Sequence, residues 1–436
     1  MDRAKNKLGL WTSTSLVAGN MIGSGVFLLP AALASFGGIS LLGWFFSALG
    51  ALALALVFSY LSRLIPKAGG PYAYTREGFG DFAGFLVAWG YWISIWCGNA
   101  AITVAFVSYL TVFIPELAQN NLMAVGAGLS AIWLLTWVNI RGVKTAGIVQ
   151  LVTTVLKLIP LILIGIGGLF FVNLEHFQPF NLSDDSAFGA VTATATLTLW
   201  AFLGLESATI PADNIEQPEK TIPRATILGT LISTVVYITG TIAVLGLIAP
   251  SDLQNSTAPF ADAAAAMLGE SAYYWVGGAA IIATLGALNG WILMQGQVPM
   301  AVAQDKLFPA LFGKQNRNQV PVVSIIISSV LLSVLMVMNF TRGLVDTFKF
   351  VILLATLTVL VPYLFSTASF VLVVAQKKFG AVSNRLIKMI LGFLAFGYAL
   401  WAVAGSGEEV VYWGFILLIA GIPFYVWIKW KNYSYL

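Results

Sequence analysis

Residues 19–25 read Gly-Asn-Met-Ile-Gly-Ser-Gly and lie near the middle of an apolar segment that covers residues 9–35. Glycine is a poor helix former, so three glycines in seven residues predict a break in this helix. Lipid cannot satisfy freed backbone groups, so the break must line a cavity. A second segment, 188–210, carries Gly204 near its middle, and paired interruptions indicate a transporter binding site. Close helix packing is the alternative, and it explains Gly204 more easily than the cluster.

The composition requires a membrane. Hydrophobic residues make up 59% of the 436 residues and charged residues 9%, whereas a soluble domain carries about 25% charged residues. The net charge of +4 does not indicate nucleic acid, because the basic residues lie between apolar segments and form no patch. Hydropathy predicts about twelve spans, at residues 9–35, 39–64, 82–113, 120–140, 147–172, 188–210, 223–249, 271–303, 320–340, 348–375, 387–405 and 409–430.

The predicted fold class is therefore an all-α polytopic membrane protein, with a single transmembrane domain over residues 1–436. The interrupted spans one and six begin two halves of five spans each, which predicts a 5+5 inverted repeat with broken helices 1 and 6. The first repeat covers about residues 9–172 and the second about 188–375. Two extra C-terminal helices cover about 387–430.

The basic residues predict the orientation. All 22 Lys and Arg residues except Lys157, Arg342 and Lys349 fall on one side of the predicted spans. Cytoplasmic loops are enriched in these residues, so we expect a multi-pass plasma (inner) membrane protein with both termini in the cytoplasm. The basic N-terminus precedes a long segment without a small-residue cleavage site, which predicts a retained first helix and not a signal peptide.

Residues that carry covalent or metal chemistry are scarce. Cys97 is the only cysteine, and His176, in a polar loop, is the only histidine. We therefore expect no disulfide, no metal site and no cofactor. An intramembrane enzyme would need a nucleophile, a metal cluster or a redox group, and a channel would need a filter or polar rings. Neither pattern is present, and no GxxxxGK[ST] motif points to ATP. The sequence favours a secondary transporter that is not an enzyme.

Two charged residues lie well inside predicted spans, Lys157 in the fifth and Glu206 in the sixth. A charge at the bilayer centre costs about 2.5–3.5 kcal/mol on insertion scales, so each residue is a functional candidate. Glu206 follows the second break, where it can bind a proton, bind a cationic group or hold the unwound segment. Lys157 can neutralise carbonyl groups of a broken helix, or its side chain can extend to the interface.

An amino-acid substrate brings a carboxylate and an ammonium group into the membrane. The amides of Ser24 and Gly25 open the second half of span one, and a helix N-terminus attracts a carboxylate. The carbonyl groups of residues 201–203 in span six suit the ammonium. Trp200 and Trp291 lie mid-span beside glycines, where an indole either packs in the core or stacks on a substrate.

Motifs of one membrane superfamily recur almost from end to end. They are GNMIGSGVFLLP at 19–30, GGPYAY at 69–74, YW at 91–92 with GN at 98–99, LWAFLGLES at 199–207, PEKTIPRAT at 218–226, GW at 290–291, LFP at 307–309 and VPYL at 361–364. These motifs resemble the amino acid–polyamine–organocation superfamily, and within it the basic amino-acid/polyamine antiporters, notably the arginine/agmatine antiporters.

The resemblance implies a secondary active amino-acid transporter, an amino acid/amino acid or amino acid/amine antiporter with alternating access. The alternative is a proton-coupled symporter of neutral amino acids. The implied substrate-binding residues are Asn20, Ile22, Ser24, Gly25, Tyr91, Asn99, Trp200, Leu203, Trp291 and Ala355. Those implied in gating or proton coupling are Tyr72, Tyr91, Lys157, Glu206 and Tyr363, with Tyr91 in outer and Tyr363 in inner closure. The expected partners are a small-molecule substrate (an amino acid or polyamine), membrane lipids and a second copy in a homodimer, without nucleic acid.

Two departures favour a neutral substrate. Arginine/agmatine antiporters offer hydroxyl groups on the tenth helix, where the aligned residues here are Ala355 and Val359. Residues 155–160, VLKLIP, resemble instead the neutral amino-acid branch, in which a lysine fills the place of a sodium ion. Asn99 and the tryptophans still suit a longer polar side chain, so the choice between a neutral and a cationic substrate stays open.

Overall fold

A computed structural model describes residues 7–339, 344–376 and 384–433. These residues form helices, turns and loops without a β-strand, and one parallel bridge joins Leu8 to Ile215. The α-helices are α1 (Leu10–Met21), α2 (Ser24–Leu33), α3 (Ser40–Leu64), α4 (Pro71–Phe79), α5 (Asp81–Leu110), α6 (Asn121–Ile140), α7 (Val143–Gly167), α8 (Ala187–Leu199), α9 (Pro218–Leu247), α10 (Pro250–Leu253), α11 (Pro259–Leu268), α12 (Glu270–Gln304), α13 (Val322–Asn339), α14 (Leu344–Ala375), α15 (Arg385–Gly405), α16 (Glu408–Ile419) and α17 (Ile422–Tyr433).

The predicted class, an all-α polytopic membrane protein, is confirmed. Within the described ranges, eleven helical segments are long and apolar enough to cross a membrane. They correspond to eleven of the twelve predicted spans. The remaining prediction, the ninth span, corresponds to α13, whose apolar part is the shorter stretch Val322–Met338. The predicted twelfth span is built from α16 and α17, with a turn at residues 420–421 between them.

Two short helices between spans, α4 and α11, escaped the hydropathy pattern. Each begins with proline, at Pro71 and Pro259, and each ends before a glycine with positive φ, at Gly80 and Gly269. Proline at the first helical position and glycine after the last are known boundary signals, so the sequence did carry this information.

The broken first span lies at the centre of the helical bundle. The most apolar stretch of residues 10–33 is 100% buried, whereas that of the last span, residues 410–431, is 17% buried. Around this centre α3 packs along α9, and α5 packs along α12. These contacts pair the second helices and the third helices of the two predicted halves. The inverted repeat itself stays a prediction.

Candidate substrate site between the two broken spans

The break in span one is present where the glycine cluster predicts it. Helix α1 ends at Met21 and α2 begins at Ser24. The amide of Gly23 donates to the carbonyl of Met21 at 2.8 Å instead of reaching back four residues to Gly19. The helical hydrogen-bond ladder therefore stops, which frees carbonyl groups at the end of α1 and amide groups at the start of α2.

Span six is also interrupted, but the α-helix does not resume after the break. Helix α8 ends at Leu199, and three short 3₁₀ turns follow, at Trp200–Phe202, Ser207–Thr209 and Ala212–Asn214. Gly204 has a φ of +105°, a conformation that favours glycine. A Cβ there would also lie 3.1 Å from the Trp291 ring. Gly204 therefore serves both the backbone turn and close packing.

Lys157 holds the break in span one. Its side chain is fully buried. The Nζ atom donates to the carbonyl oxygen of Gly19 at 2.6 Å and also to that of Ile22. The alternative interpretation, in which this side chain extends to the membrane interface, is wrong. The ammonium group instead supplies hydrogen bonds to carbonyl groups that the break releases.

Asn20 connects the break to three other spans. Its backbone carbonyl accepts a hydrogen bond from Trp291 Nε1 at 3.1 Å. Its side-chain Nδ2 donates to Ser207 Oγ at 2.9 Å, and its Oδ1 accepts from Gln150 Nε2 at 3.3 Å. The broken spans are thereby tied to each other and to α7 and α12.

Sequence reasoning missed Gln150. Gln150, Thr154 and Lys157 follow one another at the spacing of one helix face, and all three are buried. A Cβ at Gly19 would lie 2.2 Å from Gln150 Nε2 and 2.4 Å from Thr154 Oγ1. Gly19 is therefore required for the close approach of α7 to α1. The available signal was a polar stripe along a span that is otherwise apolar.

A small cavity lies between the two breaks. Its lining is Asn20, Met21, Ser24, Gly25, Ile102, Trp200, Leu203 and Trp291. Six of these residues are among the ten that the resemblance implied for substrate binding, whereas Met21 and Ile102 were missed. The volume of the cavity open to the centre of a water molecule is about 10 Å³, which is enough for one water. The Trp200 indole lines the cavity, and its Nε1 donates to Ser24 Oγ at 3.3 Å.

The other four implied substrate residues do not line this cavity. Ile22 contributes its carbonyl to Lys157, Tyr91 contacts Glu206, and Ala355 is buried in α14. Asn99 is also buried in the helix packing, behind the cavity lining.

Asn99 belongs to a chain of amide side chains. Its Nδ2 donates to Gln295 Oε1 at 2.8 Å, and Gln295 Nε2 donates to Ser329 Oγ at 2.9 Å. Among the described residues, Asn99 Oδ1 has no hydrogen-bond partner although it is buried. Asn99 lies one helical turn before Ile102, which does line the cavity. An unpartnered acceptor therefore lies one turn along α5 from the site.

Glu206 is held between two tyrosines. Tyr91 Oη donates to Oε1 and Tyr363 Oη donates to Oε2, each at 2.5 Å. All three side chains are fully buried. The structure thus brings Tyr91 and Tyr363 to the same carboxylate, whereas the resemblance implied separate roles for them in outer and inner closure. The arrangement joins α5 and α14 to the unwound part of span six.

Tyr72 lies outside the cavity, in an ionic cluster. Its Oη donates to Asp305 Oδ2 at 2.7 Å, and Arg76 Nη1 lies 2.7 Å from the same oxygen. Arg76 and Lys429 both contact Asp81, each at 2.9 Å. Burial raises the pKa of the Tyr72 hydroxyl well above its usual range, and the hydrogen bond to Asp305 acts in the same direction. The hydroxyl therefore stays protonated and remains a donor.

A helical bundle with a buried cavity between two unwound spans defines a polytopic membrane transporter. The chain belongs to the amino acid permease family, whose model matches residues 8–425. It is 34% identical over 436 residues to a cadaverine/lysine antiporter of Escherichia coli strain K12. The alignment covers 98% of this chain and 95% of that relative. It is 31% identical over 432 residues to the putrescine transporter PotE of Haemophilus influenzae, with 99% of each chain covered. The resemblance to antiporters of basic amino acids and polyamines is thereby confirmed.

Proposed function

We propose that this chain is a secondary antiporter that exchanges a basic amino acid for a diamine across the plasma (inner) membrane, with both termini in the cytoplasm. The observation that carries the proposal is the cavity between the breaks, in which the start of α2 faces two indole rings. The relatives are named as a cadaverine/lysine antiporter and a putrescine transporter. The charge bias of the loops supports the orientation.

The two unwound segments divide the recognition of the substrate. The first-turn amides of α2, at Ser24 and Gly25, bind the carboxylate, because no intrahelical acceptor takes them. The carbonyl of Ala201 already accepts a hydrogen bond from Tyr237 Oη at 2.8 Å. The carbonyl groups of residues 202–203 therefore take the α-ammonium group. A diamine lacks the carboxylate and uses the ammonium contacts alone.

The distal ammonium group of a basic substrate donates to the side-chain oxygen of Asn99 in α5. Asn99 Oδ1 is buried without a partner in the described chain, and an unsatisfied acceptor favours a ligand that donates to it. Lys157 does not argue against a cationic substrate, because its ammonium group already donates to the carbonyls of Gly19 and Ile22. The N–H donors thereby point into the break, and the two carbonyl dipoles partly screen the positive charge.

Substrate entry requires the indole rings to move. Small-molecule sites have volumes of about 300–1,000 Å³, whereas the space here holds about one water. Toward the predicted outer side, Phe27 packs edge-on against Tyr109 and Phe260. Toward the predicted inner side, the Leu8 amide donates to the carbonyl of Asn214 at 2.8 Å. Contacts of this kind on both sides of the cavity suit alternating access with Trp200 as the mobile cover.

Counterflow in proteoliposomes tests this function. Vesicles loaded with cadaverine should take up labelled lysine much faster than empty vesicles, and dissipation of the proton gradient should leave the exchange intact. Uptake of a neutral amino acid into empty vesicles, driven by a proton gradient, would support the symporter instead.

Trp200→Ala tests the site itself. Removing one stacked indole should weaken lysine binding by about 2- to 30-fold, the range of 0.5–2 kcal/mol for a cation on an aromatic face. Trp275→Ala is the matched control, because that indole is 81% exposed. Equal affinity in the two variants would remove Trp200 from the binding site.

A further inference from the structure

Two basic side chains from different helices converge on one tyrosine ring. Tyr60 lies in the penultimate turn of α3, and Phe370 of α14 stacks on it at 5.9 Å between centroids. The Arg63 guanidinium lies 6.0 Å from the Tyr60 centroid, and Lys388 Nζ, from the first turn of α15, lies 4.8 Å from it. The ring therefore fixes the ends of α3 and α15 relative to each other and holds two like charges close together.

A third cation, Arg385, lies one turn before Lys388 and donates through Nη2 to the carbonyl of Ala375 at 2.5 Å. We call Arg63, Arg385 and Lys388 the basic cluster. In the described part of the chain none of them forms an ion pair with a carboxylate. The sequence has no Asp or Glu in residues 3–76 or in residues 347–407. The helices that carry the basic cluster therefore supply no counter-charge.

We propose that the basic cluster binds the phosphate of an anionic phospholipid. Arginine presents a planar fork of donors that matches phosphate oxygens, and lysine adds a point charge. The cluster lies where two membrane-spanning helices end, at the depth of lipid headgroups. Helix α15 is 21 residues long and has no side-chain cap at its N-terminus, so its first amides also face the anion.

The adjoining surface of α3 identifies the ligand as a lipid and not a free anion. Leu56 and Leu49 precede Arg63 on α3 at seven-residue spacing, which keeps all three on one helix face, and the two leucines are 38% and 54% exposed. They form an apolar stripe that starts at the cluster and runs along the helix toward the membrane interior. A phospholipid satisfies both parts, with its phosphate on the cations and an acyl chain along the stripe. Inorganic phosphate satisfies only the first.

Native mass spectrometry of the full chain in detergent tests the site, with dioleoyl phosphatidylglycerol as the anionic probe and dioleoyl phosphatidylcholine as the zwitterionic one. The parent should retain phosphatidylglycerol in preference to phosphatidylcholine. Arg63→Gln/Lys388→Gln should bind phosphatidylglycerol about 30-fold more weakly, because each basic residue near an anionic lipid contributes about 5-fold. Lys314→Gln/Arg317→Gln is the matched control, since it removes one lysine and one arginine from an exposed loop.

The outcomes separate the sources of the anion. An equal loss in both double variants, or equal retention of the two lipids by the parent, would overturn the proposal. Full displacement of phosphatidylglycerol by millimolar inorganic phosphate would show a free-anion site instead. If Arg63→Gln/Lys388→Gln does not fold, Tyr60→Leu decides, because it keeps every charge and removes the ring that positions two of them. Parental lipid affinity in Tyr60→Leu would then count against a built site. Neither result depends on the transported substrate.

Discussion

Replacing Lys157 by methionine tests whether a fixed cation maintains the break in span one. Methionine has a similar length and is apolar, so the change removes the ammonium group with little change in packing. The carbonyl groups of Gly19 and Ile22 lose the donor that they share. A buried acceptor without a partner costs about 1–3 kcal/mol, so two of them cost about 2–6 kcal/mol.

The free energy recovered by removing the buried charge is of similar size and opposite sign. Removing a charge from the membrane interior recovers about 2.5–3.5 kcal/mol. The net change in stability for Lys157→Met therefore lies between a gain of about 1.5 kcal/mol and a loss of about 3.5 kcal/mol, and overall stability is a poor readout. The position of the break is the sensitive quantity, because the Lys157 ammonium group bridges the Gly19 and Ile22 carbonyls. We expect exchange to fall at least about 10-fold, which corresponds to about 1.4 kcal/mol.

Exchange in proteoliposomes, with sodium or with choline as the cation, provides the measurement. The parent should exchange equally well in both. In Lys157→Met the two carbonyl oxygens are free to bind a metal cation, so sodium should raise its melting temperature and not that of the parent. Lys220→Met is the control, since Lys220 is exposed at the start of α9. A sodium requirement in the parent, or parental exchange by Lys157→Met, would refute the reasoning.

Three further predictions concern the cavity, the carboxylate and the orientation. Gly25→Val should weaken substrate binding at least about 10-fold in a thermal-shift titration. An added Cβ at this position would lie only 3.0 Å from that of Ala201, and overpacking costs about 1–3 kcal/mol. Near-parental affinity would contradict this prediction. Tyr363→Phe removes one donor from Glu206 and should lower the free energy of unfolding by about 1–3 kcal/mol, because a buried acceptor loses its partner. An unchanged denaturation midpoint would count against a stabilising role of this hydrogen bond. Asp184→Cys, on an exposed loop, should react with a membrane-impermeant thiol reagent on intact cells, and labelling restricted to opened cells would reverse the orientation.

The sequence alone determined the membrane class and the place of both breaks. These features depend on local properties: apolar length sets a span, and closely spaced glycines weaken a helix wherever they occur. Five residues of the cavity lining named from the sequence lie in or beside the breaks, and a sixth, Trp291, stood out by its mid-span position beside Gly290. The mid-span position of Lys157 likewise marked it as functional, since an uncompensated charge is costly in lipid.

Tertiary structure alone decided which groups meet. Tyr91 and Tyr363 lie 115 and 157 residues from Glu206, and no local pattern states that both hydroxyl groups reach the same carboxylate. Gln150 entered the site because α7 packs against α1 at Gly19, and the Asn99 side-chain amide donates to Gln295, 196 residues away in sequence. Hydrogen bonds need partners within about 3 Å in defined directions, so they depend on how helices pack in three dimensions, which hydropathy and spacing do not specify.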